Sequence, residues 1–243
     1  MKFVVTDTYE QLSDKAAALI LAQVQNKPRS LFVLPTGATP LGLFRRLVEA
    51  GKAGHADFSA AVFAVLDEYA GIATSDRRSL CGWLRRELLD PLAISDDRIL
   101  TFTPHGEPQV EAERMEHALA QNGGIDVAVL GLGPNGHLGF NEPGSAFDSG
   151  CRLVSLTPES IRSNAAYWGS EADVPRTGFT LGLGTLLAAR DFVLMVSGAH
   201  KADILARTIN GPASVDLPAT IVHLHPNAIV LADRAARPSK AQL

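Results

Sequence analysis

Apolar residues follow a helical spacing at the start of the chain. Between residues 8 and 25 they fall on one face of a helix, at Leu12, Ala16, Leu19, Ile20 and Val24. Thr8 and Gln11 have the spacing of a capping box, in which two side chains bind the first free N–H groups of a helix. The pattern therefore predicts an amphipathic helix over 8–25.

Short apolar runs then alternate with segments of helical spacing. Buried strands are predicted at 30–34, 61–66, 98–102, 125–130, 192–196, 219–224 and 228–232. Helices are predicted between them, at about 39–50, 79–90, 108–120, 158–168 and 199–209. Because strand and helix alternate in this way in βαβ units, we predict an α/β fold with a mostly parallel sheet and helices on both faces.

The 243 residues contain no internal repeat, low-complexity run or long polar linker. A single α/β unit often has this length, so we expect one domain over residues 1–243. The polar and basic tail at 234–243 is expected to fray at its end.

Composition argues against several classes of protein. The chain has 22 Lys and Arg against 26 Asp and Glu, and its net charge of -4 offers no basic surface for a nucleic-acid backbone. Cys81 and Cys151 form no CxxC pair and are typical of reduced thiols. There is no apolar signal segment after the N-terminus and no run near the roughly 18 apolar residues of a membrane span. We therefore expect a globular, cytoplasmic protein that binds neither nucleic acid nor membrane.

Ligands of open α/β sheets bind beyond the carboxyl ends of the strands, which directs attention to four strand ends. Two of them could bind an anion. The loop that carries Thr36, Gly37 and Thr39 puts small side chains and backbone N–H groups at a helix start, although a tight turn with a threonine cap fits equally well. Lys201 lies in the first turn of a predicted helix, where it would share an anion with the N-terminus or simply be solvated.

The other two strand ends carry candidate acid/base groups. Asp67 and Glu68 follow a predicted strand directly, and a partly desolvated carboxylate there could remove a proton from carbon; a turn cap is the alternative. The segment 131–144 has five glycines and two prolines around His137 and Glu142. An imidazole beside a carboxylate suits proton transfer, and a structural histidine is the alternative.

The motifs at these four places resemble those of the glucosamine-6-phosphate deaminase family. The matching runs are LPTGATPLGLF, LDEY, GLGPNGHLGFNEPGSAF, SLTPESIRSNAAYW and SGAHKA, in the family's order, over about residues 30–226. The sister family, 6-phosphogluconolactonase, shares only the GxGxxGH start of the long glycine-rich run. The resemblance implies a Rossmann-like three-layer α/β/α fold, and conversion of an amino-sugar 6-phosphate and water to a ketose 6-phosphate and ammonia without a redox cofactor or metal.

The resemblance also implies roles for individual residues. Asp67 matches the base that moves a proton between carbons 2 and 1, His137 the residue that helps to open the sugar ring, and Glu142 its carboxylate partner. Asn135 falls where many members have aspartate, and it is expected to be tolerated. The phosphate-binding positions match Thr36, Gly37, Ala38, Thr39 and Lys201.

One position departs from the family. Ala166 stands where the family has an arginine that binds the phosphate, and the loss of such a bidentate contact would weaken binding by about 1.5–3 kcal/mol. Arg162 precedes Ala166 by four residues and would share its helix face. We therefore expect Arg162 to bind the phosphate in its place.

Several alternatives remain open at this point. The region 212–225 differs from the family's usual run, so galactosamine 6-phosphate competes with glucosamine 6-phosphate as the substrate, and a lactonase is less favoured. A sugar-phosphate sensor of transcription regulators would carry a DNA-binding domain, whereas this chain is expected to begin at its first strand. Asp67, His137 and Glu142 together favour catalysis. As a partner we expect only the small-molecule substrate, in a monomer or a small homo-oligomer.

Overall fold

The computed structural model describes residues 1–239, so residues 240–243 of the predicted frayed tail lie outside the described residues. Within 1–239, seven parallel strands form a central sheet in the order β1-β10-β9-β6-β2-β3-β5, and three antiparallel strands form a second sheet in the order β4-β8-β7. The strands are β1 (Lys2–Thr6), β2 (Leu31–Leu34), β3 (Val62–Val65), β4 (Asp67–Tyr69), β5 (Ile99–Leu100), β6 (Val127–Gly131), β7 (Arg152–Ser155), β8 (Thr177–Thr180), β9 (Asp191–Val196) and β10 (Ala228–Asp233).

Helices cover both faces of the central sheet. They are α1 (Tyr9–Asn26), α2 (Leu41–Lys52), α3 (Leu80–Leu84), α4 (Pro108–Gln121), α5 (Pro158–Trp168), α6 (Leu183–Leu187) and α7 (Ala202–Asn210). A π-helical turn (Arg85–Leu89) continues α3, and shorter 3-10 turns lie at Asp96–Arg98, Ala199–Lys201 and Pro218–His223. None of the helices within residues 1–239 is long and apolar enough to cross a membrane.

Side chains of one strand alternate between two hydrophobic cores. In β2, Phe32 and Leu34 pack with α1 and α2, whereas Leu31 and Val33 pack on the opposite side with α4 and α7. All four are at most 1% exposed, because helices cover both faces of the sheet. The predicted three-layer α/β/α architecture is therefore confirmed.

Most of the predicted elements are present, but one predicted strand is wrong. The run 219–224 forms the 3-10 turn Pro218–His223, in which the residues from 218 to 222 are all buried. A short apolar run cannot distinguish a buried strand from a buried helical turn. Four strands lie outside the predicted ranges: β1 at the edge of the central sheet, and β4, β7 and β8, which make up the second sheet.

The strand order determines where a ligand can bind. From β2 the chain proceeds outward through β3 to β5, and from β6 it proceeds the other way through β9 to β10, which pairs with the edge strand β1. The order therefore reverses between the neighbouring strands β2 and β6, which pair in parallel through Phe32 and Val127. Such a reversal opens a crevice at the carboxyl ends of the strands.

Candidate active site

A cavity of about 450 Å³ lies at the carboxyl ends of β3, β2, β6 and β9. These are four neighbouring strands at the centre of the sheet. Each contributes one of the groups that the sequence points to, because Asp67, the 36–39 loop, His137 and Lys201 all line the cavity. The four strand ends are thus brought together in one place.

The loop at 36–39 lines the cavity next to the start of α2. Gly37 has φ 101°, a left-handed conformation that favours glycine. Within residues 1–239, no acceptor binds the backbone N–H groups of 36–39. The Tyr9 hydroxyl fixes the end of the loop, since it donates to the Thr39 carbonyl (3.0 Å) and accepts from the Gly42 N–H (2.7 Å). An anion can therefore occupy this loop next to the start of α2.

Asp67 is a buried carboxylate that faces the cavity. The chain leaves β3 at Val65 and enters β4, in the second sheet, at Asp67, which is 6% exposed. None of the described residues donates a hydrogen bond to its carboxylate. Burial, and then the charge of Glu68, raise the pKa of Asp67 to about 8. A carboxyl group with such a pKa is suited to accepting a proton from carbon.

Glu68 points to the opposite face of β4 from Asp67, because successive side chains of a strand alternate. Its role is structural. Its fully buried carboxylate accepts hydrogen bonds from the Ser79 hydroxyl (2.7 Å) and from the N–H groups of Tyr69, Leu80 and Cys81 (2.9–3.0 Å). Burial raises the pKa of Glu68 while these four donors oppose the rise. The pair of acids after β3 thus separates into one that faces the cavity and one that holds the start of α3.

The glycine-rich loop after β6 holds His137 at the cavity wall. The imidazole lies against Gly133, where an added β-carbon would approach it to 2.1 Å. Gly136, with φ 85°, lies against the side chain of Leu217 in the same way, at 2.2 Å. Only glycine fits these two positions, and the absence of side chains there lets the backbone of the loop pack closely around the imidazole.

His137 belongs to a hydrogen-bonded network behind the cavity. Its Nδ1 lies 3.4 Å from Glu142 Oε2 and 3.3 Å from the Ser160 hydroxyl, which itself donates to Glu142 Oε1. Asn135 donates from Nδ2 to Glu142 Oε2 (2.9 Å) and accepts from the His137 N–H (3.1 Å). Burial alone would raise the pKa of Glu142, but the contacts with His137, Ser160 and Asn135 outweigh it and lower the pKa to about 2.

This network divides the predicted site residues. His137 lines the cavity, whereas Asn135 and Glu142 lie behind it. Ser160 was not predicted; it is 1% exposed, in the first turn of α5, and touches both members of the His137–Glu142 pair. Because serine in a first helical turn is an ordinary observation, no sequence signal distinguished it.

Lys201 follows β9 and brings a cation to the cavity. Within residues 1–239, no acidic side chain lies within ion-pair distance of its ammonium group. Partial burial lowers the pKa of Lys201. An ammonium group that is partly desolvated and has no carboxylate beside it favours an anionic ligand.

Arg162 does not join these residues. The cavity face of α5 carries Ser160, Ser163, Asn164 and Tyr167, which follow helical spacing. Arg162 and Ala166 share another face, as expected, but that face is exposed and does not line the cavity. The expectation that Arg162 substitutes for an arginine at 166 therefore finds no support in the geometry.

Arginines of another segment line the cavity instead. Arg77, Arg78 and Arg86 do so, from the loop before α3 and from the π-helical turn. The sequence held a signal for them, because four arginines between 77 and 86 are a local concentration in a chain of net charge -4.

Within residues 1–239, no group of three or more His, Cys, Asp or Glu side chains could hold a metal ion.

The sequence matches the family described as glucosamine-6-phosphate isomerases/6-phosphogluconolactonase over residues 5–231. Glucosamine-6-phosphate deaminase 2 of Bacillus subtilis is 38% identical over 241 residues, 97% of this chain and 96% of that one. A monomeric glucosamine-6-phosphate deaminase of solved structure is 33% identical with a TM-score of 0.94, over 97% of this chain and 98% of that one. A 6-phosphogluconolactonase from Shewanella baltica is 20% identical with a TM-score of 0.77, over 96% and 97%, a likeness that shows the fold alone.

Proposed function

The chain belongs to the family of glucosamine-6-phosphate isomerases and 6-phosphogluconolactonases, and we propose that it converts glucosamine 6-phosphate and water to fructose 6-phosphate and ammonia. One observation carries this proposal: Asp67, His137 and Lys201 line one cavity together with the 36–39 loop, and Glu142 contacts His137 from behind. Asp67 can remove a proton from the carbon next to a carbonyl group, and His137 can open a closed sugar ring. The 36–39 loop and Lys201 can bind a phosphate.

The phosphate occupies the end of the cavity formed by residues 36–39 and Lys201. Backbone N–H groups that lack acceptors within residues 1–239 donate to its oxygens, and the ammonium group of Lys201 offsets part of its charge. These contacts are made to a part of the substrate that does not react, so they fix the sugar relative to Asp67 and His137.

His137 opens the sugar ring. Its Nδ1 side is bound to Glu142 and Ser160, which leaves Nε2 to exchange a proton with the ring oxygen. The ionised carboxylate of Glu142 keeps the imidazole of His137 oriented. Asn135 holds Glu142 in place from behind.

Asp67 then transfers the proton. In its ionised form, Asp67 removes the proton on carbon 2 of the open chain, next to the carbon 1 aldehyde, and returns it to carbon 1. A second proton passes from the nitrogen to the former aldehyde oxygen, so that carbon 2 is left as an imine. Water adds to carbon 2, and ammonia leaves as the ketone forms. A carboxylate with a raised pKa suits both directions of this transfer.

The alternatives receive less support. Relatives named glucosamine-6-phosphate deaminase are 34–38% identical over nearly the whole chain, whereas the S. baltica lactonase is 20% identical. Galactosamine 6-phosphate would use the same acid/base groups and differs only at carbon 4, so it remains the second candidate.

We also propose that residues 1–243 form a single domain, because β1 and β10 from the two ends of the chain pair in one sheet. A monomer or small homo-oligomer is supported by the similar protein of solved structure that is described as monomeric. A cytoplasmic location is supported by Cys81 and Cys151, which are both buried and unpaired.

The direct test is an ammonia-release assay on the purified protein. Glucosamine, galactosamine and mannosamine 6-phosphates are compared, and hydrolysis of 6-phosphogluconolactone is measured in parallel. We expect glucosamine 6-phosphate to have the highest kcat/KM. Ammonia release from none of the three amino sugars would disprove the proposal.

Asp67→Asn provides the matching variant. The amide keeps the shape of the side chain and removes the base, so we expect kcat to fall by at least about 1,000-fold while substrate binding changes little. Substrate binding is measured by calorimetry on the inactive variant. Substantial turnover by Asp67→Asn would show that another group removes the proton.

A further inference from the structure

Four basic side chains other than histidine line the cavity, and their local partners differ. Arg78 donates to Asp76 from Nε (3.0 Å) and Nη2 (2.8 Å), and Arg86 donates to Glu87 (2.8 Å). Within residues 1–239, Arg77 and Lys201 have no acidic partner. The cavity therefore has two cations whose charge is not offset by a neighbouring carboxylate.

The position of Arg77 is set by its neighbour Arg78. The Arg78 guanidinium lies over the Trp168 ring, 4.6 Å from its centroid, and Trp168 packs edge-on against Tyr69. These contacts hold the turn at 76–78 beside the C-terminal end of α5, where Tyr167 and Trp168 line the cavity. The turn that carries Arg77, whose side chain lines the cavity, is thus held by a neighbour that is itself fixed.

We propose that Arg77 binds the substrate's phosphate together with Lys201 and the 36–39 loop, an inference that rests on the function proposed above. A phosphate monoester carries nearly two negative charges, and Lys201 supplies one positive charge. The planar guanidinium of Arg77 can donate two parallel hydrogen bonds to phosphate oxygens. Arg77 would then have the role that we expected of Arg162, which does not line the cavity.

The test measures phosphate binding separately from turnover. Arg77→Ala should raise KM for glucosamine 6-phosphate by about 10–100-fold, the usual effect of losing a bidentate charged contact, with kcat within about threefold of the original. Calorimetry with inorganic phosphate should show a similar loss of affinity. Arg77→Lys should give an intermediate KM because it keeps the charge and loses the paired geometry.

Matched variants separate Arg77 from other arginines. Arg29→Ala removes an exposed arginine from the loop before β2, at the opposite end of the sheet, and should leave KM unchanged. A KM for Arg77→Ala equal to that of the unmodified protein would overturn the inference. A larger effect from Arg86→Ala or Arg162→Ala would overturn it as well, because it would assign the phosphate to that residue.

Failure of the proposed function would give a different result. If the unmodified protein released no ammonia from any amino-sugar phosphate but bound inorganic phosphate in an Arg77-dependent way, the reaction would be wrong and the anion site would stand. If the protein were active and Arg77→Ala bound phosphate normally, only the role of Arg77 would be wrong. Thermal unfolding of each variant checks that the exposed substitutions leave the fold intact.

Discussion

Two carboxyl groups of the site have pKa values displaced in opposite directions. Burial without a hydrogen-bond donor raises the pKa of Asp67 to about 8, whereas three donors lower that of Glu142 to about 2. At neutral pH the first can hold a proton and the second cannot. Such a separation is typical of sites in which one carboxyl group moves a proton and another provides a fixed charge.

The raised pKa of Asp67 predicts a pH-dependent stability difference from Asp67→Asn. Between about pH 4 and 8 the unfolded chain ionises this group while the folded protein keeps it protonated. The stability contributed by the proton is therefore present at low pH and is lost as pH rises through about 8. The difference in free energy of unfolding between Asp67→Asn and the unmodified protein should therefore change by about 3 kcal/mol in favour of the variant as pH rises from 5 to 8. Urea unfolding at both values tests this, and an equal difference at both would contradict it.

Ser160 positions the His137–Glu142 pair without reaching the cavity centre. Ser160→Ala removes the hydroxyl bound to Glu142 Oε1 and leaves His137 held by one partner fewer. A hydrogen bond to a charged group contributes about 1.5–3 kcal/mol, so we expect kcat to fall by about 10–100-fold with KM nearly unchanged. The pKa of Glu142 should rise, because one of the hydrogen bonds that lower it is removed. Ser160→Thr keeps the hydroxyl and should restore part of the rate; a rate as low as that of alanine would indicate a packing role.

At the scale of elements, the glycine-rich loop depends on the 3-10 turn at Pro218–His223. The Ala219 N–H donates to the Gly136 carbonyl (2.9 Å), and Leu217 packs against Gly136 itself. The segment 212–225, in which we expected a departure from the family's sequence, thus contacts the loop that carries His137. It acts on the site through the loop's backbone.

Gly136→Ala should damage this contact, and Gly123→Ala is its control. Both glycines have nearly the same φ, 85° and 87°, but only at 136 would a β-carbon collide with a neighbour. Gly123→Ala should therefore lower the free energy of unfolding by about 1 kcal/mol and leave kcat/KM unchanged. Gly136→Ala should cost about 2–4 kcal/mol and reduce kcat/KM more than tenfold, because His137 moves with its loop. Equal losses in urea unfolding and activity would refute the packing argument.

The sequence predicted the central sheet well because each of its buried strands is a continuous apolar run. It also indicated the strand ends that meet at the cavity, since Gly37, Asp67, His137 and Lys201 lie within a few residues of those runs. It did not predict the second sheet, whose strands are short and only partly apolar. Nor did it predict which face of α5 meets the cavity: spacing places Arg162 with Ala166, but only tertiary packing decides where that face points.

At the scale of the whole molecule, the carboxyl ends of the central strands form the site, whereas their amino ends contribute to stability. The carboxyl ends of β2 and β6 line the cavity, whereas their amino ends are joined by Asp126, which is 1% exposed. Its carboxylate accepts two contacts of 2.8 Å from Lys27 and a hydrogen bond of 2.9 Å from the Leu31 N–H. Arg190 lies 3.4 Å away.

Lys27→Ala tests whether contacts at the amino ends of the strands affect stability without affecting activity. It leaves a buried carboxylate with less compensation, so we expect the free energy of unfolding to fall by about 1–3 kcal/mol, less than for a fully enclosed pair because Arg190 remains. kcat and KM for glucosamine 6-phosphate should stay unchanged at a temperature where the variant is folded. A change in KM would show that the amino end of the sheet is coupled to the cavity.

The spacing of the sheet gives the site a fixed length. The groups that line the cavity follow β3, β2, β6 and β9, which are adjacent in the sheet. Neighbouring strands lie about 4.8 Å apart, so these groups are distributed over roughly 14 Å. Backbone hydrogen bonds set this dimension, and exchanging side chains cannot alter it. Substitutions at one strand end can therefore change the chemistry done on one sugar unit, whereas accepting a longer sugar chain would require a different backbone.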